Sequence, residues 1–213
     1  MHLIEERKLI VEYGKKLITC NLTKGTGGNI SVYNREKNII AISPSGMDYF
    51  QTTPEDVVLI DIEGNIIEAC RKPSSEVKMH IIFYKNRDDV NSVVHTHSTF
   101  ATTIATLNWD IPPIHYLMAF AGTKVPCSQY ATFGTEEIAE NANKAMGKEF
   151  KATLLANHGL LTVGKNIAEA FSIAEIIEFM AEIYYRTKCI GNPTLIDKKE
   201  MQLMIEKFRS YGQ

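Results

Sequence analysis

The stretch VVHTHS, residues 93–98, sets His95 and His97 two positions apart at the end of an apolar run. On a β-strand alternate side chains share a face, so both imidazoles would aim at one point and could hold a metal ion there. The same spacing also suits polar decoration on the open face of a sheet. His158 closes a second apolar run, KATLLANHG (151–159), just before a glycine. Glu76 lies in PSSE (73–76) and precedes His80 by four residues, so a helix there would set the two on one face. His95, His97 and His158 with a carboxylate such as Glu76 would make a nitrogen–oxygen ligand set suited to Zn²⁺, with a position open for substrate. Taken singly, these residues have plainer roles, NHG as a hydrogen-bonded turn and Glu76 as a first-turn carboxylate at a helix N-terminus.

Three stretches share an anion-binding chemistry. GTGGN (25–29), SPSG (43–46) and PSSE combine hydroxyls, one amide and exposed backbone N–H groups. Glycine-rich turns and helix N-termini present such donors to phosphate, although ordinary turns and an N-cap have the same composition. PSSE is the informative one, because Ser74 and Ser75 stand beside Glu76. A phosphate held there would adjoin a candidate metal ligand.

The elements that must position these groups can be read from periodicity. Residues 1–22 carry Leu3, Ile10, Tyr13 and Leu17 near helical spacing, and TKGTGGN (23–29) ends that helix. NISVY, NIIAI and VVLIDI are β-branched strands, with EGN (63–65) as a turn before NIIEA, and their close spacing favours antiparallel pairing. PSSEVKMHIIFYKN (73–86) reads as a helix capped by Ser74 or Ser75, with Val77, Ile81 and Tyr84 on one side. VVHTH is a strand, followed by helices over about 99–107 and 135–147 with a loop over 110–134 between them. KATLLANHG is a buried strand ending at His158. A long helix then runs from Ile167 to Lys188, with Asn166 and Glu169 at capping spacing and a core stripe of Ile167, Ala170, Phe171, Ala174, Ile177, Ala181 and Tyr184. No repeat or linker interrupts the chain, so residues 1–213 read as one domain. The expected class is α/β, a three-layer α/β/α domain with a mixed, mostly antiparallel central sheet.

The 213 residues are 45% apolar and 23% charged, with a net charge of −2, an ordinary globular composition. Without a basic stripe, neither nucleic acid nor an anionic membrane is an expected partner. MHLIEERKLIVEYGKK is charged from Glu5 onward and lacks a secretory apolar region, and no run approaches the ~20 apolar residues of a membrane helix. Cys20, Cys70, Cys127 and Cys189 form no C-x-x-C pair, which fits reduced thiols and a cytoplasmic protein.

Taken together, GTGGNIS, SPSG, PSSE, VVHTHS, IPPIHYLMAFAG (111–122), YATFGT (130–135), KATLLANHG and EKFRSYG (206–212) occur in that order along almost the whole chain. In this the chain resembles the zinc-dependent class II aldolases and epimerases that act on sugar phosphates. The resemblance implies one Zn²⁺, or another divalent ion, per subunit on Glu76, His95, His97 and His158. It implies a phosphate pocket of Thr26, Gly28, Asn29, Ser45, Gly46, Ser74 and Ser75. Glu76 would move protons on the ketone fragment, and Tyr116, reaching in from a neighbouring subunit, would do so at the aldehyde oxygen. Phe208 and Tyr211 would close over the site as a C-terminal lid. A homotetramer with active sites at its subunit interfaces and a small-molecule sugar phosphate as substrate are also implied.

The reaction so implied is retro-aldol cleavage, nearest in motif to family members that split L-fuculose 1-phosphate into dihydroxyacetone phosphate and L-lactaldehyde. The alternatives within the family are an L-ribulose-5-phosphate 4-epimerase, an aldolase for another ketose 1-phosphate and, more distantly, a methylthioribulose-phosphate dehydratase. Outside it stand a non-catalytic metal-binding module and a Schiff-base aldolase using a lysine such as Lys78. Retro-aldol cleavage leaves electron density next to a ketone, which either a Schiff base or a Lewis-acidic metal must accept. Neutral imidazole ligands would leave such a metal cationic and electrophilic.

Overall fold

The computed structural model describes residues 2–209. One sheet runs through the molecule, built from β1 (Asn29–Asn34), β2 (Ile39–Ile42), β3 (Val58–Ile60), β4 (Ile66–Glu68), β5 (Ser92–Thr96), β6 (Cys127–Ser128), β7 (Ala152–Leu155) and β8 (Gly159–Gly164). The spatial order is β4-β3-β2-β1-β5-β8-β7-β6, and only the edge pair β6/β7 is parallel. The helices are α1 (Ile4–Thr19), α2 (Val77–Asn86), α3 (Thr99–Thr106), α4 (Glu136–Met146), α5 (Ile167–Ile190) and α6 (Lys198–Arg209).

Strand alternation sorts the helices into layers. Ala41, Leu59, Val94, Leu154 and Leu160 face one core together with Ile10 and Leu17 of α1, Ile104 of α3 and the apolar stripe of α5. Their strand neighbours Ile42, Ile60, Val93, Leu155 and Leu161 face a second core with Met79 and Phe83 of α2 and Ile138 and Ala142 of α4. A mostly antiparallel sheet covered on both faces is the α/β/α arrangement expected from the sequence. All seven residues of the expected α5 stripe are buried. Asn166 caps that helix through Glu169 N–H at 2.9 Å, but the Glu169 carboxylate turns to Lys165 N–H and Lys151 Nζ instead of back to the cap.

Three features depart from the sequence reading. The NHG segment is a hairpin turn, with Asn157 at a φ of 54°, and β8 follows it at once and pairs with both β5 and β7. Glycines at both ends of GLLTVG disguised that strand as loop. Helix α6 stands where only an aromatic tail was expected. Helix α2 begins at Val77, after the expected serine caps, and Ser74 Oγ instead accepts the Glu76 N–H at 3.2 Å. PSSE is therefore a tight turn that presents Glu76 ahead of the helix.

Helix α3 starts at Thr99, two residues after His97, with no side-chain cap from Ser98. Glu178 of α5 does that work from a distance, its two oxygens accepting Phe100 and Ala101 N–H at 2.8 Å each. These charge-assisted bonds fasten the segment carrying His97 to the longest helix. Glu178→Ala is expected to cost about 1–2 kcal/mol, the range for losing a helix cap, and Glu178→Gln less. Denaturant midpoints of the purified variants measure both.

Candidate metal and active site

Four side chains from separate elements converge at one end of the sheet. His95 comes from β5, His97 follows that strand, His158 sits in the β7–β8 turn and Glu76 in the turn before α2. One ligand atom from each lies within 4.8 Å of all the others. His95 Nε2 is 3.0 Å from His97 Nε2 and 3.4 Å from Glu76 Oε2, while His158 Nε2 is 3.3 Å from Glu76 Oε1. Glu76 is 6% exposed, and its Oε1 is buried without a hydrogen-bond partner.

The electrostatics suit ligation. His95 Nδ1–H donates to the Leu160 carbonyl at 2.9 Å, which leaves the Nε2 lone pair facing the cluster. Burial, helped by the neighbouring imidazoles, holds the His95 pKa well below its ordinary value. Burial and then His158 push His97 down to about 4. Burial also lowers His158, against the opposing pull of the Glu76 carboxylate. Three neutral nitrogens and a carboxylate with an unpartnered buried oxygen form a donor set that fits a divalent ion.

Glycines make the convergence possible. A Cβ on Gly159 would strike the Thr96 carbonyl and lie 3.1 Å from His97 Cδ2 and 3.3 Å from His95 Cε1. Gly28 has a φ of 73°, and a Cβ there would come within 2.7 Å of His95 O. The GTGGN and NHG motifs therefore do more than turn the chain. Gly28 lets its loop close on the His95 backbone, and Gly27, where a Cβ would lie 2.8 Å from His97 Nδ1, and Gly159 leave room for the imidazoles. Only the tertiary structure shows this second role.

The anion-binding stretches meet beside the cluster. Pro44 and Pro73 form an isolated β-bridge, flanked by Ser45 N–H to Lys72 O at 3.0 Å and Ser74 N–H to Ser43 O at 3.1 Å. The first loop joins them because Ile30 N–H donates to Ser43 Oγ at 3.2 Å. Thr26, Ser45, Gly46 and Ser75 are exposed, Gly28 is half-buried and Ser74 is buried. Both amide atoms of Asn29 are already engaged, Nδ2 donating to Glu76 Oε2 at 2.8 Å and Oδ1 bonded to His80 Nε2 at 2.5 Å. Tyr49, which the motifs did not single out, donates its hydroxyl to Gly28 O at 2.8 Å and holds the glycine loop. Ser75, Glu76, His97, His158, Tyr130 and Phe133 line a cleft of 380 Å³.

The remaining expected residues lie elsewhere in the chain. Tyr116 is 48% exposed at the start of a short 3₁₀ helix, with its ring 4.5 Å from His115 and 6.1 Å from Phe208. Phe208, on α6, rests 4.3 Å from Phe120. Within one chain, these rings pack on one another, not over the His95, His97 and His158 cluster. Tyr211 falls outside the described residues. Lys78 is half-exposed and pairs with Glu136 at 3.5 Å, so it lacks the desolvation that makes a lysine a Schiff-base nucleophile.

Comparison with known proteins agrees with this geometry. Residues 8–185 match the family described as class II aldolase and adducin N-terminal domain. The chain is 54% identical over 213 residues to a 5-deoxy-D-ribulose 1-phosphate aldolase of Bacillus thuringiensis serovar kurstaki, covering all of both chains. It is 40% identical to a 5-methylthioribulose-1-phosphate/5-deoxyribulose-1-phosphate aldolase of Rhodospirillum rubrum, over 95% of this chain and 90% of the relative. A solved structure named L-fuculose 1-phosphate aldolase superposes with a TM-score of 0.94 at 47% identity, covering 96% of each chain.

Gly159→Ala would push the His95 and His97 rings off their common point, and metal affinity is expected to fall about 10–100-fold, the range for disturbed ligand support. Titration of chelator-treated protein with Zn²⁺ reads that loss. The lowered histidine pKa values also set a pH dependence. Unfolding frees these rings to take up protons near 6.5, whereas folded His97 resists protonation down to about 4. Stability of metal-free protein is thus full above that upper value and is expected to drop as pH falls through the window between the two. Denaturation midpoints of chelated protein at neutral pH and at pH 5 check the sign.

Proposed function

Because the chain belongs to the class II aldolase and adducin N-terminal domain family, we propose that it cleaves a 5-deoxypentulose 1-phosphate to dihydroxyacetone phosphate and a short aldehyde. It is a class II aldolase, a carbon–carbon lyase. The observation that carries this reading is the convergence of Glu76, His95, His97 and His158 beside a cleft flanked by hydroxyl-rich loops. Full-length identity of 54% to the 5-deoxyribulose 1-phosphate aldolase supports the substrate class. L-Fuculose 1-phosphate is the second reading, favoured by the fit to the solved L-fuculose 1-phosphate aldolase. Both sugars share the ketone and phosphate half and differ in the aldehyde released.

In this account Glu76, His95, His97 and His158 hold a divalent ion, with Zn²⁺ the first choice for that donor set. When bound, such an ion supplies Lewis acidity at the substrate ketone. The chain does the rest. Thr26, Ser45 and Ser75 hydroxyls, with loop N–H groups at Gly28 and Gly46, bind the phosphate, and Ser74 and Asn29 brace Glu76 beside it. Binding energy from the phosphate, remote from the reacting bond, positions the ketone. In the condensation direction Tyr116 donates its phenol proton to the aldehyde oxygen as the C3–C4 bond forms. Cleavage reverses this, the C4 hydroxyl proton returning to the Tyr116 phenolate as the bonding pair moves toward the ketone. In condensation the Glu76 carboxylate takes the C3 proton of dihydroxyacetone phosphate on Oε1, and in cleavage the proton held there returns to C3 to complete dihydroxyacetone phosphate. Tyr130, Ala131 and Phe133 give the cleft an apolar rim for the aldehyde end.

Tyr116 serves a neighbouring subunit in this account, in a homotetramer with sites at its interfaces. An exposed aromatic face supports that assembly. Phe179 is 49% exposed and its ring lies 6.2 Å from that of His115, which packs on Tyr116, and exposed apolar patches of this kind mark interaction sites. Phe208, whose ring stacks 6.1 Å from that of Tyr116, would accompany it to the neighbouring site. The account also places the protein in the cytoplasm. Among the described residues no helix is long and apolar enough to cross a membrane.

Release of dihydroxyacetone phosphate from 5-deoxyribulose 1-phosphate and L-fuculose 1-phosphate, followed by a coupled assay, tests the reaction. Turnover that a chelator abolishes and Zn²⁺ restores is expected, with the 5-deoxypentulose preferred. Isomerisation of L-ribulose 5-phosphate without triose release would replace the aldolase with the epimerase. Tyr116→Phe is expected to lower kcat about 10²–10⁴-fold, the contribution of a positioned acid or base. Mixed oligomers of Tyr116→Phe and His97→Ala chains should regain activity, since each intact half-site would meet its complement. No recovery in verified mixed oligomers would place Tyr116 in its own subunit's site.

A further inference from the structure

Behind Glu76 a chain of buried hydrogen bonds runs away from the cleft. Asn29 Nδ2 meets Glu76 Oε2 at 2.8 Å, and Asn29 Oδ1 meets His80 Nε2 at 2.5 Å. His80 Nδ1 meets Ser31 Oγ at 2.6 Å, and Ser31 Oγ meets Tyr84 Oη at 2.5 Å. Asn29 and Ser31 point from β1 toward α2, which carries His80 and Tyr84 one turn apart. His80 is fully buried, Ser31 likewise, and Tyr84 is 2% exposed. No substrate could reach these groups, and none was needed to assemble the cluster or the phosphate loops.

The bonding capacities of the groups fix a single direction along the chain. An ionised carboxylate only accepts, so Asn29 must turn its NH₂ to Glu76 and its oxygen to His80. His80 Nε2 must then carry the proton, which leaves Nδ1 as acceptor for the Ser31 hydroxyl. Ser31 Oγ, having spent its hydrogen, accepts from Tyr84. Every donor thus points toward Glu76, and only Oε2 receives the last one. Oε1, 3.3 Å from His158 Nε2, remains without a hydrogen-bond partner.

We infer that His80 is a positioning residue for the aldolase reaction, locking the Asn29 amide so that Glu76 Oε2 is pinned and Oε1 is left to exchange the proton at C3 of the ketone fragment. Without the His80 donor, Asn29 can rotate its amide and present oxygen to Oε2, which repels the carboxylate from its working position. The inference rests on the aldolase reading. It adds a residue on the hidden face of α2 that the ligand and phosphate motifs do not contain.

Solvent deuterium exchange into C3 of dihydroxyacetone phosphate, followed by NMR on metal-loaded protein, isolates the work of Glu76, because no aldehyde is present. The wild type must exchange, and exchange must stop with chelator. If it does not exchange, the aldolase reading fails before the variants matter. Given wild-type exchange, His80→Leu is expected to slow it about tenfold with metal content and the KM for the sugar phosphate unchanged. His80→Gln, whose amide can still donate to Asn29, should recover at least half of that loss. Ser31→Ala removes the group that fixes the His80 tautomer and should slow exchange at least threefold. Ser31→Ala alone decides the matter should His80→Leu fail to fold. Undiminished exchange in folded variants, a loss that only tracks lost metal, or His80→Gln no better than His80→Leu would each overturn the inference.

Discussion

A carboxylate taken almost wholly out of water, among three imidazoles that burial keeps neutral, is the constraint on which this structure turns. Such a group is costly unless charge and hydrogen bonds compensate it. Here one oxygen is compensated by Asn29, and the other, 3.3 Å from His158 Nε2, has no hydrogen-bond partner. A cation at the common focus of Nε2 atoms and carboxylate would relieve both the buried negative charge and the crowding of lone pairs. The site is therefore strained toward binding in a way that a structural cluster of polar residues would not be. Its supports follow from the same need. Gly159 admits the rings, Gly28 lets its loop approach the His95 backbone, Leu160 fixes one tautomer, and Glu178 ties down the segment after His97.

Much of this was legible in local sequence, and what was not is instructive. His95 and His97 announce themselves by strand alternation, and the α5 stripe by helical period, because both depend only on spacing within one element. The bond from Asn29 to Glu76 joins residues 47 positions apart and has no local signature. Strand β8 was hidden because the turn before it is too short to separate two apolar runs, and its terminal glycines look like punctuation. Ser74 was read as a helix cap, whereas it holds the turn in front of the helix. Its composition is the same in either role. The assignment of roles to Tyr116, Phe208 and the phosphate loops came from resemblance to a family, not from spacing.

The architecture also places the candidate cluster and the Tyr116 ring group on different elements. The candidate ligands and the hydroxyl-rich loops gather at one end of the sheet, on elements braced by two cores. Tyr116, Phe208 and Phe120 form a compact aromatic group on a 3₁₀ turn and α6, in contact with each other. If Tyr116 is the proposed proton donor, it can meet His95, His97 and His158 only through assembly or a large movement. Assembly needs no rearrangement of the packed core, which makes it the simpler physical solution.

Anomalous diffraction from crystals of the protein loaded with Zn²⁺ tests the central claim most directly. The account requires a single strong peak within bonding distance of His95, His97 and His158, with Glu76 in or beside the coordination sphere. A peak anywhere else, or none at the cluster while metal is bound in stoichiometric amount, would contradict it.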